Sequence, residues 1–299
     1  MRHIPVLVDE VLENLNIRNG IKVIDCTLGD GGHSEAILDK IGDKGKLLGI
    51  DADPESMLRA KRNLYRFGDS AIFIRDNFTN LRKITTENHF EPDAILMDLG
   101  WSTPQFKERG RGFSFEKDEP LDMRYSTSEG DTATDIVNKY GEDELVEMLK
   151  YNAEEKFYKE IAREIIKARE SGPIKTSFEL AEIVLRVYRE KIGTDKEIPW
   201  IGGIHPATKT FQALRIQVNN ELGVLESVLP QAIEILKKDG RLVVITFHSL
   251  EDRIVKRVFQ KVMGKTVSVV NKKPITASVE EIKNNPSARS AKLRVIQKI

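Results

Sequence analysis

The chain has 299 residues, 40% hydrophobic and 31% charged, with a formal net charge of zero. That length can bury a large core or a domain carrying an insertion, and the zero balance excludes overall charge as a pointer to an anionic partner. The absence of any run of 18 apolar residues excludes a transmembrane helix, and a lone cysteine, Cys26, excludes an internal disulfide or a Cys-based zinc site. Met1-Arg2-His3-Ile4-Pro5 carries no long apolar stretch and no small-residue cleavage site, so a cytoplasmic enzyme is expected.

In chain order, Lys22–Cys26 is a short apolar run that stops at a glycine-rich turn, and Lys46–Asp51 is a second such run. Asp53-Pro54 opens a helix, with Asp53 as its N-cap and Pro54 at the first helical position. Ala71–Ile74 and Ala94–Asp98 read as the third and fourth strands. Strands alternating with helices imply a parallel sheet covered on both faces. The next strand, Arg241–Phe247, comes more than a hundred residues later. Between them the pattern is helical. Phe157, Ile161 and Ile165 recur at i, i+4, i+8; Ser177–Tyr188 reads as a helix capped by Ser177. Thr208–Val228 reads as one helix whose stripe of Phe211, Leu214, Val218, Leu222 and Leu225 belongs to a core. Thr266–Val270 and Lys292–Gln297 read as closing strands. The organisation expected is therefore a sheet domain of residues 1–106 and 206–299, with a helical domain, 107–205, inserted after the fourth strand and engaged in substrate recognition.

Charge is unevenly spread. From Leu250 to Ile299 there are 12 basic residues against 4 acidic ones, whereas Glu129–Pro199 holds 12 against 17. A basic tail on a neutral chain suggests an anionic partner on one face, with a solvated lysine-rich surface as the plainer alternative.

The strongest local signal is Asp25-Cys26-Thr27-Leu28-Gly29-Asp30-Gly31-Gly32-His33-Ser34, directly after the first strand. Glycines there let the backbone turn sharply and approach a ligand. Asp51, at the end of the second strand, suits a carboxylate that accepts from both ribose hydroxyls. A dinucleotide or S-adenosylmethionine would fit this scaffold. The loop distinguishes them: it departs from G-x-G-x-x-G/A at Ser34, and Asp25 and Asp30 would repel a pyrophosphate. A sulfonium and an ammonium instead suit an acidic pocket of Asp25, Asp51 and Asp98. His33 follows the glycines, where ligand contact and a local backbone bond are both open; Cys26 reads as a small buried residue. The fourth strand ends Asp98-Leu99-Gly100-Trp101, placing an acceptor and an aromatic at the spacing that amino-methyltransferases of nucleobases use.

Taken with these motifs, the chain resembles the bacterial ribosomal small-subunit methyltransferase H family, also called MraW, nearly end to end. His3-Ile4-Pro5-Val6-Leu7, the glycine loop, Gly49-Ile50-Asp51-Ala52-Asp53-Pro54 and Asp98-Leu99-Gly100 occur in order. Arg111-Gly112-Phe113-Ser114-Phe115, Pro120-Leu121-Asp122-Met123-Arg124 and the run from His205 to Arg215 follow. Phe247-His248-Ser249-Leu250-Glu251-Asp252-Arg253 and Asn285-Pro286 through Arg294 complete the set. The resemblance implies a class I, Rossmann-like S-adenosylmethionine-dependent methyltransferase sheet with an inserted helical domain. It implies N4-methylation of a cytosine in the decoding region of 16S ribosomal RNA, within a small ribosomal subunit, and leaves a homodimer open. Carried onto matching positions, the cofactor contacts would be Gly31, Gly32, His33, Asp51, Phe78, Asp98 and Gln105, with Asp98 also the candidate catalytic group. No metal is expected, because no ligand-spaced cluster of histidines or cysteines occurs. The chain departs from the family at Trp101, Thr103 and Ser287, where a small aliphatic residue, Ser and Arg are usual. The plainer alternatives are a local Asp122–Arg124 ion pair, Phe113 and Phe115 as anchors of the insertion to the sheet, and a structural hydrogen bond for His248. Arg289, Lys292 and Arg294 read as phosphate contacts or as a solvated strand edge. An amino-methyltransferase acting on DNA or protein, and a protein that binds S-adenosylmethionine without catalysis, stand as the other readings.

Overall fold

The computed structural model describes residues 4–99, 110–125, 130–194 and 204–299. Trp101, Thr103 and Gln105 lie outside the described residues. The strands are β1 (Lys22–Asp25), β2 (Lys46–Ile50), β3 (Ala71–Ile74), β4 (Ala94–Asp98), β5 (Arg241–Thr246), β6 (Val267–Val269), β7 (Ile275–Thr276) and β8 (Lys292–Lys298). The helices begin with α1 (Val8–Asn14), α2 (Gly32–Ile41), α3 (Pro54–Asn63), α4 (Leu81–Glu87), α5 (Ala133–Lys139) and α6 (Glu142–Ala153). They continue with α7 (Tyr158–Glu170), α8 (Ser177–Ile192), α9 (Thr208–Asn219), α10 (Glu221–Ile235), α11 (Ser249–Val262) and α12 (Val279–Asn284). The chain divides into two compact units, Met1–Ser102 with Leu222–Ile299, and Thr103–Glu221.

In the first unit the strands run β3-β2-β1-β4-β5-β8-β6, with β1 to β5 parallel and β8 antiparallel to β5. The far edge of β8 is shared, Val269 of β6 facing Ile296 and Ile275 of β7 facing Leu293. The two-residue β7 is too short to leave a readable period in the sequence. Strand side chains alternate between faces. Val23, Leu47, Leu96, Val243 and Val295 enter one core with α1, α2 and α3. Their neighbours Ile24, Leu48, Ile95, Val244 and Ile296 enter another with α4, α10 and α11. Both faces are thus covered, which is why these strands read as continuous apolar runs. The Asp53 carboxylate accepts from the Ser56 N–H at 2.7 Å and Pro54 occupies the first turn of α3, as the sequence indicates.

The second unit has its own core, drawn from α5 to α9 and from Leu121 and Met123. Two expectations need correction here. The helix read as Thr208–Val228 is two helices, broken at Asn220 in the left-handed region (φ 47°). Its apolar stripe serves two cores: Phe211 and Leu214 pack in the helical unit, Leu225 in the sheet unit. Residues 206–221, expected with the sheet, therefore fall in the helical unit. The cap of α8 is Thr176, whose hydroxyl accepts from the Glu179 N–H while the Glu179 carboxylate returns to the Thr176 N–H. Ser177 is instead buried and ties the preceding loop: its hydroxyl accepts from Glu119 N–H (3.0 Å) and donates to the Lys117 carbonyl (2.7 Å).

Candidate functional site

Strand order reverses at β1, with β2 leaving to one side and β4 to the other, and ligands of open α/β sheets bind beyond the carboxyl ends at such a point. Asp25 ends β1, but it is 1% exposed. Its carboxylate accepts from the Thr27 N–H (3.0 Å) and the Ser34 hydroxyl (2.7 Å), bracing the loop against the start of α2. Burial raises its pKa above the usual carboxylate value. Asp25 is thus an internal strut, not a wall of the pocket, and the acidic trio expected from sequence loses a member.

The loop that follows turns at Gly31, whose φ of 83° is left-handed and where a Cβ would lie 3.0 Å from Leu64. Asp30 is ion-paired with Arg59 at 2.7 Å. Its charge is therefore largely offset, and the repulsion of a pyrophosphate inferred from it is weaker than the sequence suggests. Asp51 follows β2. One of its oxygens accepts from Gly29 N–H (2.9 Å), the other from Asp53 N–H (2.8 Å). Burial pushes its pKa up to about 6. Each carboxylate oxygen keeps a second lone pair, so Asp51 can still accept from two hydroxyls.

His33 lies in the first turn of α2, 7% exposed, and neither ring nitrogen has a hydrogen-bond partner among the described residues. Its Nε2 lies 3.4 Å from the Asp98 carboxylate, within ion-pair range but without hydrogen-bond geometry. Asp98 ends β4, and its N–H donates to the Thr27 hydroxyl at 2.8 Å. Phe78 opens a short 3-10 turn after β3, set by Asn77 accepting from the Thr79 N–H, and packs half-buried against the α4 and α10 core. Gly32, His33, Asp51 and Asp98 thus share the carboxyl edge of the sheet, while Phe78 follows the outer strand of that half; Gln105 lies outside the described residues.

A buried imidazole with unpaired nitrogens beside a carboxylate fits a polar or cationic group, and Asp51 fits a ribose diol. Sequence reasoning missed Thr27, which couples the loop to β4; its signal was the small hydroxyl two residues after Asp25.

The remaining motifs resolve as follows. His248 is the N-cap of α11: its Nδ1 accepts from Glu251 N–H (3.3 Å), and the Glu251 carboxylate accepts from Phe247 N–H (2.8 Å). Asp122 and Arg124 form an ion pair at 2.7 Å, which holds the Asp122 carboxyl below its ordinary range. Phe113 stacks on Tyr125, and Phe115 stacks on His205 and meets Phe211 edge-on, so both aromatics pack within the helical unit. Gly112 has φ 71°, and a Cβ there would lie 2.5 Å from the Pro120 carbonyl oxygen. Arg294 is 8% exposed and holds Asp252 bidentately at 2.6 and 3.1 Å. A buried, committed guanidinium does not serve a phosphate, so the reading of Arg294 as an RNA contact is corrected. Lys292 and Arg289 remain half-exposed and exposed.

Comparison with known proteins agrees with the motifs. The profile of the MraW methylase family matches residues 1–299. A Clostridium botulinum protein named Ribosomal RNA small subunit methyltransferase H is 44% identical, covering 100% of this chain and 99% of its own length. Proteins of that name from Finegoldia magna and Carboxydothermus hydrogenoformans are each 42% identical, covering 100% and 99% of this chain and 99% and 98% of their own. The chain belongs to the MraW methylase family, and is a class I methyltransferase with S-adenosylmethionine as its cofactor.

Proposed function

We propose that this protein transfers the methyl group of S-adenosylmethionine to N4 of a cytosine in the decoding region of 16S ribosomal RNA, within a small ribosomal subunit. The relatives' name supports the small-subunit RNA, and the observation that carries the site is the His33–Asp98 pair at the strand-order reversal. Asp51 would accept from the ribose hydroxyls, the Gly29–Ser34 turn would let the backbone approach, and Phe78 would serve the adenine, with Gln105 completing the set. The helical unit, Thr103–Glu221, recognises the substrate.

When bound, the cofactor supplies an electrophilic methyl on a sulfonium. The N4 amine is a weak nucleophile because its lone pair is delocalised into the ring. Asp98 accepts an N4 hydrogen, turns the lone pair out of conjugation and stabilises the charge that develops on nitrogen. N4 so aimed would take the methyl from the sulfonium, leaving a neutral thioether, and the cationic amine would then lose its proton to solvent. An unpaired base leaves its stack at low cost. In the competing reading, Asp98 only holds the cofactor's cationic end. Asp98→Asn separates them: turnover on small subunits falls by ~100-fold or more with cofactor affinity nearly kept. Restoration of normal turnover by saturating S-adenosylmethionine would overturn the catalytic role. Labelled-methyl transfer to small subunits, naked 16S RNA and DNA tests the substrate, and methylation of DNA alone would refute the RNA reading.

A further inference from the structure

The helical unit neutralises its basic side chains almost one by one. Between Asp131 and Thr194, Lys139, Arg163, Lys167, Arg186, Arg189 and Lys191 each reach a carboxylate within 4 Å. Arg169 donates to the Val137 and Tyr140 carbonyls. Three lysines at the corner between α6 and α7 reach no carboxylate among the described residues and lie over aromatic rings instead. Lys150 Nζ sits 4.9 Å from the Tyr151 ring centroid, where it also donates to the Tyr151 hydroxyl at 3.4 Å, and 5.9 Å from the centroid of Tyr158; no carboxylate holds it among the described residues. Lys156 is 5.0 Å from the Phe157 ring, and Lys159 is 6.0 Å from that of Tyr158. The three lysines are exposed, as is Tyr151, at 59%. Lys209 of α9 adds a fourth ammonium to this corner by donating to the Glu154 carbonyl at 2.9 Å. The acidic groups flanking it are Glu147 and Glu154; Glu155 is buried and holds the Tyr188 hydroxyl and the Phe157 N–H. The Lys175 ammonium, elsewhere in the unit, reaches neither ring nor carboxylate among the described residues, though its backbone N–H donates to Glu179.

We propose that the Lys150–Lys159 corner of the helical unit binds single-stranded segments of the substrate RNA, which rests on the RNA-methylation reading above. An ammonium over a ring face stays free to meet a phosphate, where one paired to a carboxylate does not. The exposed Tyr151 ring gives a base a surface to stack on, and alternating cation and ring is how sequence-tolerant single-strand surfaces are built. A unit of net negative charge would otherwise repel RNA, so unpaired cations gathered at one corner direct where the strand runs.

The test compares Lys150→Gln/Lys156→Gln/Lys159→Gln with the control Lys139→Gln/Lys167→Gln/Lys175→Gln, in the full chain, on an unmodified 16S transcript. Melting temperature and S-adenosylmethionine affinity report folding. The first variant loses tenfold or more in RNA affinity at low salt, with its log–log salt slope shallower by about 2, the release expected of three phosphate contacts. Its KM for small subunits rises while kcat changes little. Tyr151→Ala weakens binding without altering the salt slope. Equal affinities and slopes in the two triple variants would overturn the proposal. So would unchanged transcript affinity with impaired methylation of subunits, which assigns the corner to a ribosomal protein. Failure of the unaltered enzyme to methylate either small subunits or the transcript would refute the RNA reading itself.

Discussion

Asp51 is held by two backbone N–H groups yet kept near neutrality by burial, and the two effects separate folding from binding. Its folded pKa of about 6 lies above the ordinary 3.8, so its contribution to stability is present below about pH 4 and is lost as pH rises through 6. Cofactor binding runs the other way, because ribose hydroxyls donate to the ionised form. Calorimetry should show S-adenosylmethionine affinity falling as pH drops from 7 to 5, with the dependence much reduced in Asp51→Ala. That variant should also lose ~1.5–3 kcal/mol of binding at pH 7, and unchanged affinity would remove Asp51 from the site. Arg294 makes the opposite kind of prediction. Arg294→Glu leaves the Asp252 carboxylate facing a second one in a nearly closed site, at a cost of about 3–5 kcal/mol. Thermal melting should show a large loss there and little for Lys292→Glu. The sequence displays Asp25, Asp30, Asp51 and Asp98 as equals. Which one is buried, which is ion-paired and which is open depends on Ser34, Arg59 and the strand ends, and no local pattern encodes those distances.

At the scale of elements, adjacent residues trade roles that sequence rules assign to one another. Thr176 caps α8, and Thr176→Ala should cost ~1 kcal/mol. Ser177→Ala, which strands the buried Glu119 N–H and Lys117 carbonyl, should cost more, ~1–3 kcal/mol. Denaturant midpoints of the two variants check the order, and a reversed order would return the cap to Ser177. The strands were legible because burial on both faces makes each an unbroken apolar run, and Asp53-Pro54 was legible because a cap acts within four residues. The break at Asn220 was not, because a continuous stripe from Phe211 to Leu225 carries no mark of the two cores that share it. His248 is intermediate: its H-x-x-E spacing to Glu251 is a capping box in sequence, hidden by the expectation that a histidine after a strand is chemical.

At the scale of the whole molecule, the two units bury separate cores, so unfolding should depart from two-state behaviour. Scanning calorimetry should resolve two transitions, and saturating S-adenosylmethionine should raise mainly that of the sheet unit, which holds His33, Asp51 and Asp98. A single transition shifted as a whole would refute this. That an insertion existed was plain from the strandless interval after Asp98; its exact far border was not, because α9 is as amphipathic as a sheet helix. The two ends of the helical unit are joined: Asn219 donates to the Met123 carbonyl and accepts from the Tyr125 N–H, while the Tyr125 hydroxyl donates to Glu221. This knot bears on the order of folding. Neighbours β4 and β5 are separated by about 140 residues, but once Met123 and Asn219 are tied the slack between them is about 45. A threefold shorter loop lowers the entropy of closure by about 1 kcal/mol, which is roughly fivefold in rate if the whole saving is realised in the transition state. The helical unit, built on contacts between successive helices, then acts as a clasp that forms early and hastens the zipping of the sheet. Asn219→Ala should slow the refolding phase that restores cofactor binding, and should leave unfolding of the sheet unit nearly unchanged.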